Sequence, residues 1–153
     1  MPLSLSLQGG ETLALSGTGS VSTTNVGSSK AVTLGTIALA AGSGNPNNYT
    51  LNTANMNVTQ RVINLDGIRA YDATTNVLSS DITTFGNIVS GETLTISGTG
   101  SVGTNSVAMN KTITTGSLAL GNGSGLASNY TLTGGTQTFD ISPVSVNATG
   151  NRK

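Results

Sequence analysis

The sequence contains no cysteine and no histidine. Disulfide bonds are therefore excluded, and cysteine spacing gives no indication of the cellular compartment. Catalysis by a nucleophile paired with histidine is excluded as well. A serine–lysine pair is the remaining nucleophilic chemistry, but no strand–turn–helix segment that would present such a serine is visible. We therefore do not expect an enzyme.

Charged residues are also scarce: six basic and six acidic side chains give a formal net charge of zero. No basic stripe is present, so a nucleic-acid partner is not expected. No polybasic segment could anchor the chain to a membrane surface. The longest apolar run covers residues 37–41, which is too short to span a bilayer. Asp66, Asp72 and Asp81 are too dispersed for a calcium-binding loop, so we expect no metal and no cofactor, with calcium at a module junction as the alternative.

The feature that organises the chain is an internal repeat. Residues 10–21 return as residues 91–102, an offset of 81 residues that holds without a gap for several further segments. Over residues 10–51, 24 of 42 positions are identical in the two copies. Such self-similarity is typical of tandem duplication of one module. Extending the same offset aligns Pro143 with Val62.

This alignment divides the chain into three pieces. Residues 1–61 are expected to form a module that lacks its opening segment, and residues 62–142 to form one complete module. Residues 143–153 then begin a third module or a tail, with residues 144–153 aligned to residues 63–72.

Hydrophobic alternation predicts short β-strands. Apolar and polar residues alternate with period two over residues 3–7, 12–16 and 93–97, which is the pattern of a half-buried strand. β-branched residues mark further strands, and loops rich in glycine and asparagine separate them. These further predicted strands cover residues 32–34, 37–39, 49–51, 113–114, 118–120 and 130–132.

The closing strand of each module is predicted to run on into the next module. It would pass from Val58 toward residues 62–65, and from residues 139–141 toward residues 144–146. No stretch carries helical periodicity over ten residues, so almost no helix is expected. The predicted fold is all-β, with tandem β-sandwich-like modules of an immunoglobulin-like or β-grasp-like variant.

The order of several short motifs points to a known repeat domain. Residues 71–75 read Tyr-Asp-Ala-Thr-Thr, residues 97–100 Ser-Gly-Thr-Gly, residues 129–132 Asn-Tyr-Thr-Leu and residues 141–143 Ile-Ser-Pro. In these motifs and their spacing the chain resembles the YDG-type repeat domain, which occurs in tandem arrays in large bacterial secreted proteins similar to filamentous haemagglutinin. Ala73 stands where the family has glycine. The resemblance implies spacer modules of adhesin-like exoproteins and no catalytic residues.

Three polar residues recur once in each copy and form the sharpest candidate site. They are Glu11, Lys30 and Asn48 in the first copy, and Glu92, Lys111 and Asn129 in the second. One hypothesis is an amide crosslink between lysine and asparagine, catalysed by the glutamate, which requires all three side chains to meet in an apolar core. The alternative is a solvated glutamate–lysine pair across neighbouring strands, with the asparagine capping a loop.

The repeated tyrosines, Tyr49 and Tyr130, each follow a polar loop. A buried ring whose hydroxyl is hydrogen-bonded would fasten that loop to the core. A platform on which a carbohydrate stacks is the alternative, because other aromatic residues are nearly absent. Asp72 is expected to accept hydrogen bonds within its own turn from Thr74 and Thr75, as aspartate does in Asx-turns.

These features favour a structural spacer of a large secreted bacterial adhesin, outside the cell or at its surface, that acts through length and stiffness. Its expected partners are neighbouring modules of the same protein. Two other classes stay open. In a self-assembling fibre, the strand of Val144, Ser145 and Val146 would complete the truncated first module of the next chain, head to tail. In a binding module, exposed loops would contact glycans.

Overall fold

A computed structural model describes residues 7–150 of the chain. The chain divides into two compact units, of which unit 1 ends at Thr59 and unit 2 begins at Gln60. The described residues form β-strands and short 3-10 turns, with no α-helix among them. The prediction of an all-β, sandwich-like fold with almost no helix is therefore confirmed. Within this range no helix has the length and apolar character needed to cross a membrane.

The described part of unit 1, residues 7–59, contains five strands in two small sheets. β1 (Leu13–Ser16) pairs antiparallel with β4 (Ala38–Ala41), and the second sheet has the order β2 (Ser20–Val21), β3 (Gly27–Thr33), β5 (Asn55–Val58). Two 3-10 turns, Gln8–Gly10 and Pro46–Asn48, lie in the loops.

Residues 60–150, the described part of unit 2, contain ten strands, which are β6 (Arg61–Val62), β7 (Asn64–Ala70), β8 (Asn76–Leu78), β9 (Ile82–Gly86), β10 (Leu94–Ser97), β11 (Thr99–Val102), β12 (Ala108–Thr114), β13 (Ala119–Asn122), β14 (Tyr130–Thr131) and β15 (Gln137–Ser142). Its 3-10 turns are Ser79–Asp81 and Ala127–Asn129. Six strands form one sheet in the order β8-β11-β12-β15-β7-β9, while β10 pairs with β13 and β14 pairs in parallel with β6. The predicted strands at residues 12–16 and 93–97 are found as β1 and β10.

The core of unit 2 lies under the parallel pair of β15 and β7. Gln137, Phe139 and Ile141 alternate with half-buried residues along β15, so one face of this strand is buried. Phe139 lies opposite Gly67 of β7 in the ladder. A Cβ atom on Gly67 would come within 2.9 Å of the Phe139 ring, so glycine is needed where this strand crosses the ring.

Ten apolar side chains form this core, and all belong to unit 2: Ile63, Leu65, Val77, Leu94, Val102, Ile113, Leu118, Tyr130, Phe139 and Ile141. Among residues 7–59 no apolar side chain reaches that degree of burial. At the equivalent ladder positions, Phe139 is 0% exposed and Met56 is 50% exposed. The described part of unit 1 repeats β10–β15, and no strand within residues 7–59 covers the side that β7 covers in unit 2.

The strand ladders correct the alignment of the two copies. Lys30 of β3 lies opposite Met56 of β5, and Lys111 of β12 lies opposite Phe139 of β15, with a β-bulge at the same place in both pairs. Met56 and Phe139 are therefore equivalent and lie 83 residues apart. The loop at residues 133–136 is two residues longer than its counterpart at residues 52–53.

It follows that the alignment of Pro143 with Val62 is wrong beyond this loop. Pro143 corresponds to Gln60, and Val146 corresponds to Ile63. Residues 143–150 therefore match residues 60–67, which carry β6 and the first half of β7.

The prediction that the closing strand runs on into the next module is also wrong. β5 ends at Val58 and β6 begins at Arg61. Between them, the Gln60 side chain donates to the carbonyls of Ser128 and Tyr130, at 3.2 and 3.0 Å. β15 ends at Ser142, since Pro143 has no N–H with which to continue a ladder.

Two further strand predictions have different outcomes. No strand forms at residues 49–51, whereas residues 130–131 form β14 by pairing with β6. The strand predicted at residues 3–7 lies outside the described residues except for Leu7.

The difference in burial predicts unequal costs at the two equivalent positions. Phe139→Ala should lower the free energy of unfolding of unit 2 by about 3–5 kcal/mol, the usual cost of removing a fully buried ring. Met56→Ala should cost unit 1 less than about 1 kcal/mol, because half of that side chain already contacts water. Urea unfolding followed by hydrogen exchange in each unit measures both. Equal losses in the two units would contradict this difference in burial.

Candidate functional site

A hydrogen bond between tyrosine and glutamate occupies the same place in both units. The Tyr130 hydroxyl donates to Oε2 of Glu92 at 2.5 Å, and the Tyr49 hydroxyl donates to Oε2 of Glu11 at 2.6 Å. Each glutamate lies just before the first strand of a two-stranded sheet, β1–β4 in unit 1 or β10–β13 in unit 2. Each tyrosine directly follows a 3-10 turn. The bond therefore fastens the loop that carries this turn to the start of that sheet.

The Tyr130–Glu92 bond is more buried than the Tyr49–Glu11 bond. Tyr130 is 3% exposed, and its burial, followed by the bond to Glu92, raises the pKa of this tyrosine above the ordinary value. Tyr49 is half-buried, and its bond to Glu11 is the main cause that raises its pKa. In both cases the neutral phenol, which donates the hydrogen bond, is the favoured form.

A repeated glycine leaves room for each carboxylate. A Cβ atom on Gly125 would lie 2.4 Å from Oε2 of Glu92, and one on Gly44 would lie 2.8 Å from Oε2 of Glu11. Both distances are too short for a real contact, so a larger residue would displace the glutamate. The recurrence of glutamate, glycine and tyrosine in the two copies thus has one structural cause.

Serine and threonine hold the same loops through paired backbone contacts. The Thr93 N–H donates to Oγ of Ser124 at 2.9 Å, and the Ser124 N–H donates to Oγ1 of Thr93 at 3.0 Å. Thr12 and Ser43 form the same reciprocal pair in unit 1, at 2.9 and 3.1 Å. Residues that are identical in the two copies are therefore engaged within their own module.

The structure does not assemble the trio predicted for a crosslink. Lys111 donates from Nζ to Oγ1 of Thr104 at 2.8 Å and to the carbonyl of Ser106 at 3.1 Å. Lys30 donates to Oγ1 and the carbonyl of Thr23, at 2.6 and 3.0 Å. Within residues 7–150 no ion pair or hydrogen bond joins either lysine to a glutamate, because each lysine reaches from its bulged strand to a nearby loop.

The other two members of each trio are also placed elsewhere. Glu11 and Glu92 hold the tyrosines, as described above. The backbone N–H groups of Asn48 and Asn129 donate to the carbonyls of Asn45 and Leu126, at 3.1 and 2.9 Å, which closes the 3-10 turn in each loop. The alternative prediction of a glutamate–lysine pair across strands is likewise not found among these residues.

The tyrosines fit a structural role better than a sugar platform. A ring that is 3% exposed, as in Tyr130, has no face on which a carbohydrate could stack. The Tyr49 ring is more open, but its hydroxyl is already bonded to Glu11. The predicted fastening of a loop by a buried, hydrogen-bonded tyrosine is confirmed at Tyr130.

The turn at residues 71–75 is built around one aspartate. Oδ1 of Asp72 accepts from the N–H and Oγ1 of Thr74 at 2.9 and 3.0 Å, so the predicted Asx-turn is confirmed for that threonine. The bond from the Thr74 N–H is the main cause that lowers the pKa of Asp72. Arg69 forms an ion pair with Asp72 at 3.0 Å, and its guanidinium lies 5.6 Å from the centre of the Phe139 ring. The turn is thereby tied to the core.

Sequence reasoning missed the buried amide of Gln137. Its Nε2 donates to the carbonyls of Ile63 and Leu132, at 3.1 and 3.2 Å, and its Oε1 accepts from the N–H of Leu65 at 2.7 Å. The available signal was its inward position in the alternation of β15. No group of three acidic side chains in the described part of the chain is close enough to hold a metal.

The chain matches a known protein family. The family model of the YDG domain matches residues 2–56 and again residues 57–139. The chain therefore belongs to the YDG domain family and carries two copies of the domain in tandem. Searches of the curated proteins and of the solved structures found no match.

Removing the Tyr130 hydroxyl tests the repeated bond. Tyr130→Phe should lower the free energy of unfolding of unit 2 by about 1–2 kcal/mol, because the Glu92 carboxylate loses its donor. Tyr49→Phe, the matched control in unit 1, should lose less, since that pair contacts water. Urea unfolding at neutral pH measures both variants. An unchanged unfolding midpoint for Tyr130→Phe would show that the bond does not fasten the loop.

The raised pKa of Tyr130 predicts a dependence on alkaline pH. The stabilisation by the neutral phenol is fully present below about pH 10, the ordinary value for tyrosine, and is lost as the pH rises through the higher folded value. The urea midpoint of the unaltered protein should fall above that pH, and that of Tyr130→Phe should fall less. Identical pH profiles would contradict this assignment.

The replacement of glycine by Ala73 predicts a stabilising change. Ala73 has φ of 65°, in the left-handed region that costs an alanine about 1–2 kcal/mol. Ala73→Gly should therefore stabilise unit 2 by about 0.5–1 kcal/mol after the entropy of glycine is subtracted. The control Ala119→Gly, on an ordinary exposed strand, should destabilise it. Thermal unfolding measures both variants. A lower melting temperature for Ala73→Gly would show that the left-handed backbone at Ala73 does not cost stability.

Proposed function

We propose that the chain is a spacer segment of a large secreted bacterial adhesin-like protein, acting through its length and stiffness. One observation carries this proposal. The polar residues shared by the two modules form hydrogen bonds that hold the loops of their own module. Glutamate, tyrosine, serine and threonine bond to one another within the module. Such bonds maintain the shape of each module and require no ligand.

The junction between the modules supports stiffness. β5 ends at Val58 and β6 begins at Arg61, so Thr59 and Gln60 alone separate them. The Gln60 side chain is held by the carbonyls of Ser128 and Tyr130 in unit 2. Thr59 is therefore the one residue between β5 and an anchored residue, and a junction this short and free of glycine restricts the bending of a tandem array.

The spacer requires no chemistry at a site, and we propose that the protein is not an enzyme. The proposed location, outside the cell or at its surface, rests on the resemblance to tandem YDG-type repeats of secreted proteins. Its proposed partners are the neighbouring modules of the same protein.

Scattering from arrays of increasing length tests this function. In dilute solution, arrays of two, four and six modules should show a maximum dimension that grows by a constant increment per module, as a stiff rod does. Inserting a glycine–serine linker between Thr59 and Gln60 should make that growth shallower, approaching the square-root law of a flexible chain. Gln60→Ala should show part of the same effect. Square-root growth in the unaltered arrays would overturn the proposal.

A further inference from the structure

Within residues 60–150, the first and the last long strands lie side by side. These strands, β7 and β15, are parallel and pair over six positions, from Leu65 opposite Gln137 to Ala70 opposite Ser142. β7 also pairs with β9, and β15 also pairs with β12, so neither strand is an edge of the sheet. The β7–β15 pair is therefore supported from both sides.

The parallel direction of this pair decides how tension along the chain acts on it. Such tension pulls the start of β7 backward and the end of β15 forward. In a parallel pair these two points lie at opposite ends of the ladder, so the forces slide one strand past the other. The evenly spaced hydrogen bonds of the ladder then carry the tension together. In an antiparallel pair the two points would lie at the same end, and the bonds would break one after another.

Side-chain hydrogen bonds cross the same boundary between the strands. Near the start of β15, the amide of Gln137 donates to the carbonyl of Ile63 at 3.1 Å and accepts from the N–H of Leu65 at 2.7 Å. Thr138 donates from Oγ1 to Oδ1 of Asp66 at 2.9 Å. The shorter pair of β6 and β14, which lies just before β7 and β15 in the chain, is parallel as well. Sliding must break all of these contacts together with the ladder.

Core packing opposes sliding in the direction of the tension. The Phe139 ring lies against Gly67, where a Cβ atom would come within 2.9 Å of the ring. Tension moves this ring toward Arg69, the next inward-facing residue of β7, whose guanidinium lies 5.6 Å from the ring centre. The Arg69 side chain is held by an ion pair with Asp72 at 3.0 Å and by the carbonyl of Thr74 at 2.5 Å. The ring would have to displace this fastened guanidinium before the strands could slide.

We propose that unit 2 is a tension-resistant module, in which the β7–β15 pair holds the two ends together when the chain is pulled. The module then transmits force without unfolding. This role rests on the spacer function proposed above, because a spacer between a surface and a binding partner is pulled from both ends. Stiffness concerns the bending of an array, whereas resistance to tension concerns the interior of one module, so the two properties are measured separately.

Single-molecule pulling on the full chain in two directions tests the proposal. The chain contains no cysteine, so handles attach only at introduced ones. Handles at Thr59→Cys and Val144→Cys pull the β7–β15 pair in the sliding direction. Unfolding should then lengthen the molecule by up to about 300 Å, from about 3.5 Å per residue over residues 59–144, which identifies unit 2.

A second pair of handles pulls at one end of the same strands. Tyr71 directly follows β7, and its N–H donates to the carbonyl of Ser142 at 2.9 Å. Handles at Tyr71→Cys and Val144→Cys therefore peel β15 away from this end, one bond after another. At the same pulling speed, the sliding direction should need several-fold more force than the peeling direction. Equal unfolding forces in the two directions would overturn the proposal.

Two core variants separate resistance to tension from overall stability. Phe139→Ala and Leu94→Ala each remove a buried apolar side chain, but Leu94 lies on β10, outside the β7–β15 pair. Forced unfolding is governed by the unfolding rate and not by the free energy of unfolding alone. For the same loss of stability in urea, Phe139→Ala should therefore lower the force in the sliding direction more than Leu94→Ala does. The reverse order would contradict the role of the ring.

Thr138→Val is a milder variant that leaves the core intact. It removes the bond to Asp66 across the β7–β15 pair, and it should lower the force in the sliding direction with little change in the peeling direction. The control Ser124→Ala removes a bond to Thr93 in a loop outside the pair and should change neither force. Equal effects of the two variants on the sliding force would overturn the proposal. Rod-like growth of arrays in scattering does not depend on this result, so failure here leaves the spacer function standing.

Discussion

The parallel contact between the first and last strands of a module is the constraint on which the rest of the structure depends. Phe139 of β15 lies across Gly67 of β7, fully buried, and the guanidinium of Arg69 lies near the same ring. The amide of Gln137 joins the two strands at one end. These residues are far apart in sequence, so the module gains its core only when its ends meet.

Unit 1 shows what the same repeat looks like without that contact. Its loops keep the tyrosine–glutamate bond and the serine–threonine pairs of unit 2 at nearly the same distances. By contrast, Leu13, Val21 and Met56 are more exposed than their buried counterparts Leu94, Val102 and Phe139. Local hydrogen bonds therefore set the shape of the loops, and the opening strand seals the interior. This separation explains why Glu11, Ser43 and Tyr49 recur in unit 2 although the loop residues between them differ.

Short-range features could be predicted from the sequence because they depend on neighbouring residues. Alternation located β1 and β10, and the Asx-turn at Asp72 follows from side-chain chemistry within three residues. A buried tyrosine was predicted at Tyr49 and Tyr130 because each follows a polar loop, and the prediction is confirmed at Tyr130. The repeat also indicated the modular architecture, which the two family matches support.

Long-range pairing could not be predicted in the same way. The loop at residues 133–136 is two residues longer than its counterpart, and only the strand pairing of Met56 and Phe139 reveals this insertion. Glycine-rich loops tolerate such insertions without changing the hydrophobic pattern of the strands around them. The lysines were expected beside the glutamates, but the β-bulges at Lys30 and Lys111 direct each toward a loop instead. The end of β15 at Pro143 has a local cause, the missing N–H group, that the apolar pattern concealed.

The central claim is that the opening strands close a module by pairing with its last strand. The most direct measurement places a copy of residues 60–87 immediately before Leu7, so that unit 1 gains its own β7, and compares hydrogen exchange of the β5 amides with and without it. Our account predicts that exchange at β5 slows to the level of β15 and that Met56 becomes buried. Unchanged exchange at β5, with β15 still protected in the same molecule, would contradict it.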